Sequence, residues 1–174
     1  MDEYPPPSFN LDSIVIDPRL PLPVLIRSIE RQIANAPIEV GFAFDGTGKV
    51  VVKTTGTVDS IRFLGAEIEA MRGYTMTHNY PSRSFFSRRD ILFAAEAGLR
   101  EIRAVAGRKV YCLTQPNTGW NRAAFESECE SQARKILRSR QQGLISRAEA
   151  SRRGNNLIRA VVEALSLPLK VEKL

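Results

Sequence analysis

Thr77-His78-Asn79-Tyr80-Pro81, followed closely by Ser87-Arg88-Arg89-Asp90, is the stretch from which the rest of the chain is best read. His78 is the only histidine in 174 residues. The residues before it, Gly73 to Thr77, are β-prone, and Pro81 cannot continue a central strand. His78 is therefore expected where a strand runs into a loop. Ser87 is a good helix N-cap, and Asp90 at the third helical position completes a capping-box-like arrangement. A histidine and a carboxylate at such a junction can ligate a metal. Taken singly, each has a plainer role: His78 as a strand-end hydrogen-bonding group, Ser87 as a cap, and Asp90 as an acid favoured by the helix dipole.

Upstream, Leu22 to Ala34 reads as an amphipathic helix, with Pro23 in its first turn and Leu25, Ile26, Ile29 and Ile33 at helical spacing. Ile38 to Phe44 alternates as a strand, Asp45-Gly46-Thr47-Gly48 is a hairpin turn, and Lys49 to Thr55 is the return strand. Val58 to Phe63 reads as a further short strand, and Glu67 to Met71 as a helical turn. Residues 1–20 read as an extended arm, because prolines at 5, 6, 7 and 18 block helix, with Ile14-Val15-Ile16 as one short strand. Downstream, a helix follows Ser87, and Glu101 to Val105 and Lys109 to Leu113 read as strands. A helix over Arg122 to Gln142 places Phe125, Cys129, Ala133, Ile136 and Leu137 on one face. Two short helices follow, one capped by Ser146 and Glu149 and one over Leu157 to Leu165. The expected division is an arm (1–20), a domain (21–120) and a helical C-terminal extension (121–174).

Hydrophobic residues make up 43% of the chain, enough for a core, and no apolar run approaches the roughly 18 residues of a transmembrane helix. The acidic, Pro-rich start lacks the basic and apolar regions of a secretory signal, and Cys112 and Cys129 are read as free thiols. The expected location is the cytoplasm, with no membrane contact. The net charge is +6, concentrated between Arg83 and Lys109 and between Arg122 and Arg153, each net +4. Such patches attract nucleic acid or an acidic protein face, while the plainer reading is a solvated surface. Gly41 to Gly48 lacks the lysine of a phosphate loop. Trp120 reads as packing, and a Cys112–His78 pair as a remote possibility for thiol chemistry.

The ordered set Glu39-Val40-Gly41-Phe42, His78-Asn79-Tyr80-Pro81 and Ser87-x-x-Asp90 resembles the JAMM/MPN (JAB) domain, a zinc metalloprotease fold. Family members carry a glutamate in the first strand after a helix, then H-x-H-P, then S-x-x-D opening a helix. With Ser84-Phe85-Phe86-Ser87, the segment is most similar to the T-H-N-H-P branch associated with phage head-morphogenesis-type proteins and bacterial polymorphic toxins. The resemblance covers about Ile38 to Leu113. It implies an α/β (α+β) fold of the cytidine-deaminase/JAB-like kind: a mixed central sheet flanked by helices, here with a helical C-terminal tail. It also implies His78 and Asp90 as metal ligands, Glu39 as general base and Ser87 as oxyanion donor.

Tyr80 departs from the pattern, standing where the family has its second zinc-ligand histidine. Neutral phenol is a poor zinc ligand, and catalytic zinc normally needs three protein ligands. The expected state is therefore metal-free, with zinc bound only if the site is functional. The expected function is that of a catalytically impaired JAMM-like domain, a pseudoenzyme used as a protein-binding or assembly module. The alternatives are an active zinc metallopeptidase or deubiquitinase-like hydrolase with an unusual ligand set, and a nucleic-acid-associated basic protein acting through Arg83, Arg88, Arg89 and the basic tail.

Overall fold

In a computed structural model, residues 7–174 are described; the first six, including Pro5 and Pro6 of the expected arm, lie outside the described residues. Among the described residues the fold is a mixed α/β architecture around one six-stranded sheet. The strands are β1 (Val40–Phe44), β2 (Val50–Thr55), β3 (Thr75–Asn79), β4 (Glu101–Ala106), β5 (Lys109–Thr114) and β6 (Leu169–Lys173). The helices are α1 (Leu22–Ile33), α2 (Gly65–Ala70), α3 (Arg88–Glu96), α4 (Arg122–Gln141), α5 (Arg147–Asn155) and α6 (Leu157–Ala164). The sheet order is β2-β1-β3-β4-β5-β6. Only β3 and β4 are parallel, and α3 makes the crossover between them.

Strand alternation sorts the side chains into two cores. Val40, Phe42, Phe44, Val105, Val110 and Cys112 face α1, where they meet Leu25, Ile26, Ile29 and Ile33. Ala43, Met76, Tyr80, Ile102, Ala104, Tyr111 and Leu113 face the other way, onto α3, α4 and α6. All five residues of β3 are buried, as expected of a central strand covered on both sides. Phe125 and Cys129 of α4 and Val161 and Val162 of α6 enter the second core.

The C-terminal region contributes more than helices. β6 pairs antiparallel with β5 and closes that side of the sheet, so residues 121–174 share the core of the preceding domain. This strand is not anticipated from the sequence, because Leu169-Lys170-Val171-Glu172-Lys173 carries three charges in five positions. The expected apolar face of α4 is shorter than its periodicity suggests. Only Phe125 and Cys129 are buried; Ala133 and Leu137 are exposed, because the second half of the helix runs past the core.

Two expected strands are absent among the described residues. Ile14 to Ile16 follows a 3-10 turn (Leu11–Ser13) and packs against the α1 core without pairing. Val58 to Phe63 is irregular because Thr57 and Ser60 close a turn: the Thr57 N–H donates to the Ser60 carbonyl (2.8 Å). Gly56 permits it, since a Cβ there would lie 1.9 Å from that same carbonyl oxygen. The loop that follows lays Ile61 and Phe63 over Gly41 of β1.

Under α1 lies a buried ionic network. Glu30, fully buried, receives Arg103 Nε (2.6 Å) and Nη2 (3.2 Å) and the Thr77 hydroxyl (3.1 Å). Arg103 also reaches Glu101 and Glu172, each at 2.9 Å. Arg27 completes it at 2.9 Å from Glu172. One helix, two central strands and β6 are thus joined by charges. Removing one partner strands another charge in a dry environment. Glu30→Ala is expected to cost about 3–5 kcal/mol in denaturant unfolding. The paired change Glu30→Leu with Arg103→Met is expected to recover most of that loss.

Candidate functional site

β3 carries the site because its period of two sends His78 and Tyr80 to the α3 face and Thr77 and Asn79 to the α1 face. Asn79 then does a second job. Its Oδ1 accepts from the Val40 N–H (2.7 Å), and its Nδ2 donates to the carbonyls of Ile38 (3.1 Å) and Ala36 (3.3 Å). This pins the α1–β1 connection and with it Glu39. The Glu39 backbone pairs with the neighbouring segment, donating to the Thr57 carbonyl (2.7 Å) and accepting from the Gly56 N–H (2.8 Å). Its side chain shares the face of Gly41, which pairs with His78 across β1 and β3.

Ser87 caps α3 as the sequence implies, and Asp90 returns the bond: the Ser87 N–H donates to Asp90 Oδ2 (2.6 Å). The Ser87 hydroxyl also donates to that oxygen (2.5 Å). The Tyr80 hydroxyl makes a short hydrogen bond to the same Oδ2 and accepts from the Ser87 N–H (3.1 Å). One carboxylate oxygen therefore collects three donors. The other, Oδ1, lies 3.6 Å from His78 Nε2. The His78 and Tyr80 rings meet edge-on, with centroids 4.8 Å apart.

Glu39, His78 and Asp90 line one pocket of about 210 Å³. Its apolar wall comprises Ile61, Phe63, Met76, Phe93 and Ile102, and Arg89 stands at its rim. The sequence-derived set of Glu39, His78, Tyr80, Ser87 and Asp90 is thus brought together. The three arginines are not. Arg89 borders this pocket, Arg88 points to Glu126 of α4 (3.5 Å), and Arg83 lies in a different groove. What sequence reasoning misses is the apolar roof, Ile61 and Phe63, and the positioning role of Asn79. An asparagine inside the β-prone run of T-H-N-Y-P is the sequence signal for the latter.

The electrostatics follow from burial. Glu39 is 4% exposed, and loss of solvent, with Asp90 and Asp59 adding repulsion, pushes its carboxyl up to about 7. Burial pushes the His78 imidazolium down, so the ring is neutral near pH 7. Asp90 and the Arg103 backbone oppose that shift, although neither is in hydrogen-bond geometry with the ring. Both His78 nitrogens lack a hydrogen-bond partner among the described residues. Burial and the Asp90 charge push the Tyr80 phenol well above its ordinary range.

A catalytic metal does not fit this donor set. Among the described residues no three His, Cys, Asp or Glu side chains converge as a metal-holding group. His78 and one Asp90 oxygen point into common space, but the third position is a phenol that keeps its proton and donates it to Asp90. Ser87 is likewise engaged with Asp90. Cys112 lies on the α1 face, with its thiol pushed up to about 12 by burial, so it forms no pair with His78. Trp120 is a packing residue whose indole N–H donates to the Leu99 carbonyl (2.7 Å).

Comparison with protein-family models, with curated proteins and with solved structures gives no match.

The raised Glu39 carboxyl has a signed consequence. Its stabilising neutral form is complete below about 4.5 and is lost as pH rises through about 7. Relative to Glu39→Gln, the native protein should therefore lose up to about 3 kcal/mol between those pH values. Paired thermal melts across that window measure the difference. A flat difference curve would show that Glu39 is not buried as described.

Proposed function

We propose that this chain is a JAMM-like domain in which Tyr80 has replaced metal chemistry by a hydrogen-bonded lock, leaving a pocket that binds a protein partner. The observation that carries the reading is the engagement of Asp90 Oδ2. It takes the Tyr80 hydroxyl, the Ser87 hydroxyl and the Ser87 N–H together, while both His78 nitrogens lack a partner among the described residues. A hydrolase of the implied kind needs a metal to acidify water and a free carboxylate to take the proton. Here the two-residue donor set is short by one ligand.

The pocket retains features suited to peptide capture. Its walls are apolar, its floor holds a neutral histidine and a protonatable glutamate, and its size suits one side chain or chain end. β2, which pairs with β1 beside Glu39, is an edge strand of the same sheet, able to accept an extended segment by strand addition. Partner affinity would come from main-chain pairing, with selectivity from what packs against the stacked Phe63 and Phe93 rings, whose centroids are 4.8 Å apart.

Tyr80→His tests the reading directly. It restores a nitrogen donor beside His78 and Asp90 and is expected to raise zinc content from near zero to about one per chain. Native protein that already carries stoichiometric zinc and cleaves peptides would sink the pseudoenzyme reading and establish the hydrolase. A Tyr80→His protein that folds but gains no zinc would sink the JAMM-like geometry itself. Peptides selected for binding to the native chain should lose at least about tenfold in affinity on Ile61→Asp, a change of about 1.4 kcal/mol. Selected peptides indifferent to that change would place binding elsewhere.

A further inference from the structure

A second concave surface shares no residue with the His78 pocket. It opens at the end of the sheet, between the end of α1, the Tyr80–Arg83 turn, the β4–β5 turn and the end of β6, and encloses about 1190 Å³. Arg31, Arg83, Arg108, Lys109 and Lys173 line it, and no acidic side chain does. All five are exposed. Elsewhere cations are commonly paired: Arg27, Arg72, Arg88, Arg103, Arg122, Arg134, Arg152 and Lys170 each meet a carboxylate. None of the five groove cations has an ion-pair partner among the described residues. Drawn together by four separate chain segments, they raise a positive potential that no lining side chain offsets.

Their placement is imposed by the backbone. Arg83 has a left-handed conformation (φ 57°), uncommon for a bulky residue and costly to hold. Its N–H closes the turn on the Tyr80 carbonyl (2.9 Å). Its side chain lies over Gly107, where a Cβ would come within 3.3 Å of Arg83 Cδ. Gly107 itself has φ 65° and forms the tight turn that presents Arg108 and Lys109. The turn that follows His78 and Tyr80 thus delivers an unpaired guanidinium to the hairpin carrying two more cations.

We infer that this groove binds the phosphodiester backbone of a nucleic-acid duplex, without reading its sequence. Three arginines and two lysines suit phosphate oxygens. The apolar lining is limited to Ala34, Ala106 and Leu174, because Tyr111 is largely buried. It therefore lacks the apolar anchors of a peptide interface. It also lacks a free aromatic face on which unpaired bases would stack. A long polyanion that offers phosphate oxygens without needing apolar or stacking contacts is a duplex backbone. This inference is independent of the peptide-binding reading of the His78 pocket and survives or fails without it.

The test is fluorescence anisotropy with a labelled duplex of about 20 base pairs, titrated at several salt concentrations. Five phosphate contacts predict a log–log salt slope of about −4.5. Arg108→Gln with Lys109→Gln should lower the slope by about two and weaken binding at least about tenfold at low salt. Both residues are exposed, so thermal melting should be unchanged. Arg138→Gln with Arg140→Gln removes the same charge from α4 and should leave the slope nearly intact. Any of four results overturns the inference: no duplex binding at low salt, an unaltered slope in the turn variant, tighter binding of a matched single strand, or displacement of the duplex by poly-glutamate at equal charge concentration.

Discussion

The alternation of β3 is the constraint on which the rest depends. Five consecutive residues, Thr75 to Asn79, are buried between two helical layers, and each must be satisfied by the layer it faces. Towards α1, Thr77 meets Glu30 and Asn79 holds the backbone of Ala36, Ile38 and Val40. Towards α3, Met76 fills the core, and His78, with Tyr80 just beyond the strand, faces Asp90. A one-residue slip of this strand would exchange the two sets and leave both layers with unpaired polar groups. Fold and candidate site are therefore specified by the same pairing.

The two faces handle buried polarity in different ways. Under α1 the charges are densely bonded, with Glu30, Glu101 and Glu172 set against Arg103, Arg27 and Lys170. Beneath α3 the balance is incomplete. Asp90 is over-supplied with donors on one oxygen, His78 has no partner on either nitrogen among the described residues, and Glu39 is buried beside another carboxylate. Unsatisfied groups of this kind cost stability unless an ordered water, an ion or a ligand completes them. That imbalance, more than any single residue type, distinguishes the His78 pocket from ordinary core.

Much of the local structure was legible from residues alone. Period-3.6 spacing from Leu22, alternation from Ile38, the Asp45–Gly48 turn and the Ser87–Asp90 cap all name their elements, because each rests on contacts within a few residues. The ordered set Glu39, His78, Ser87 and Asp90 was legible for the same reason: each lies at the junction of an element whose ends can be read. β6 was not, because three charges in five residues hide a strand whose stability comes from pairing with β5 and from ion pairs to Arg27 and Arg103. The irregular path of residues 57–63 was hidden too, since Gly56 and the Thr57–Ser60 turn override the β-prone side chains.

The sequence by itself determined the class of fold, the helix caps and the identity of the residues at the His78 junction, because propensity and periodicity are properties of neighbours along the chain. Only the tertiary structure decided what those residues do together. Whether Tyr80 stands as a spare ligand or bonds to Asp90 depends on the distance between a strand end and a helix start, ten residues apart. Whether Arg83 joins Arg88 and Arg89 or instead meets Arg108 and Lys109 depends on a left-handed turn and on the hairpin it lies against. Distances between segments are set by packing and register, and no local preference encodes them.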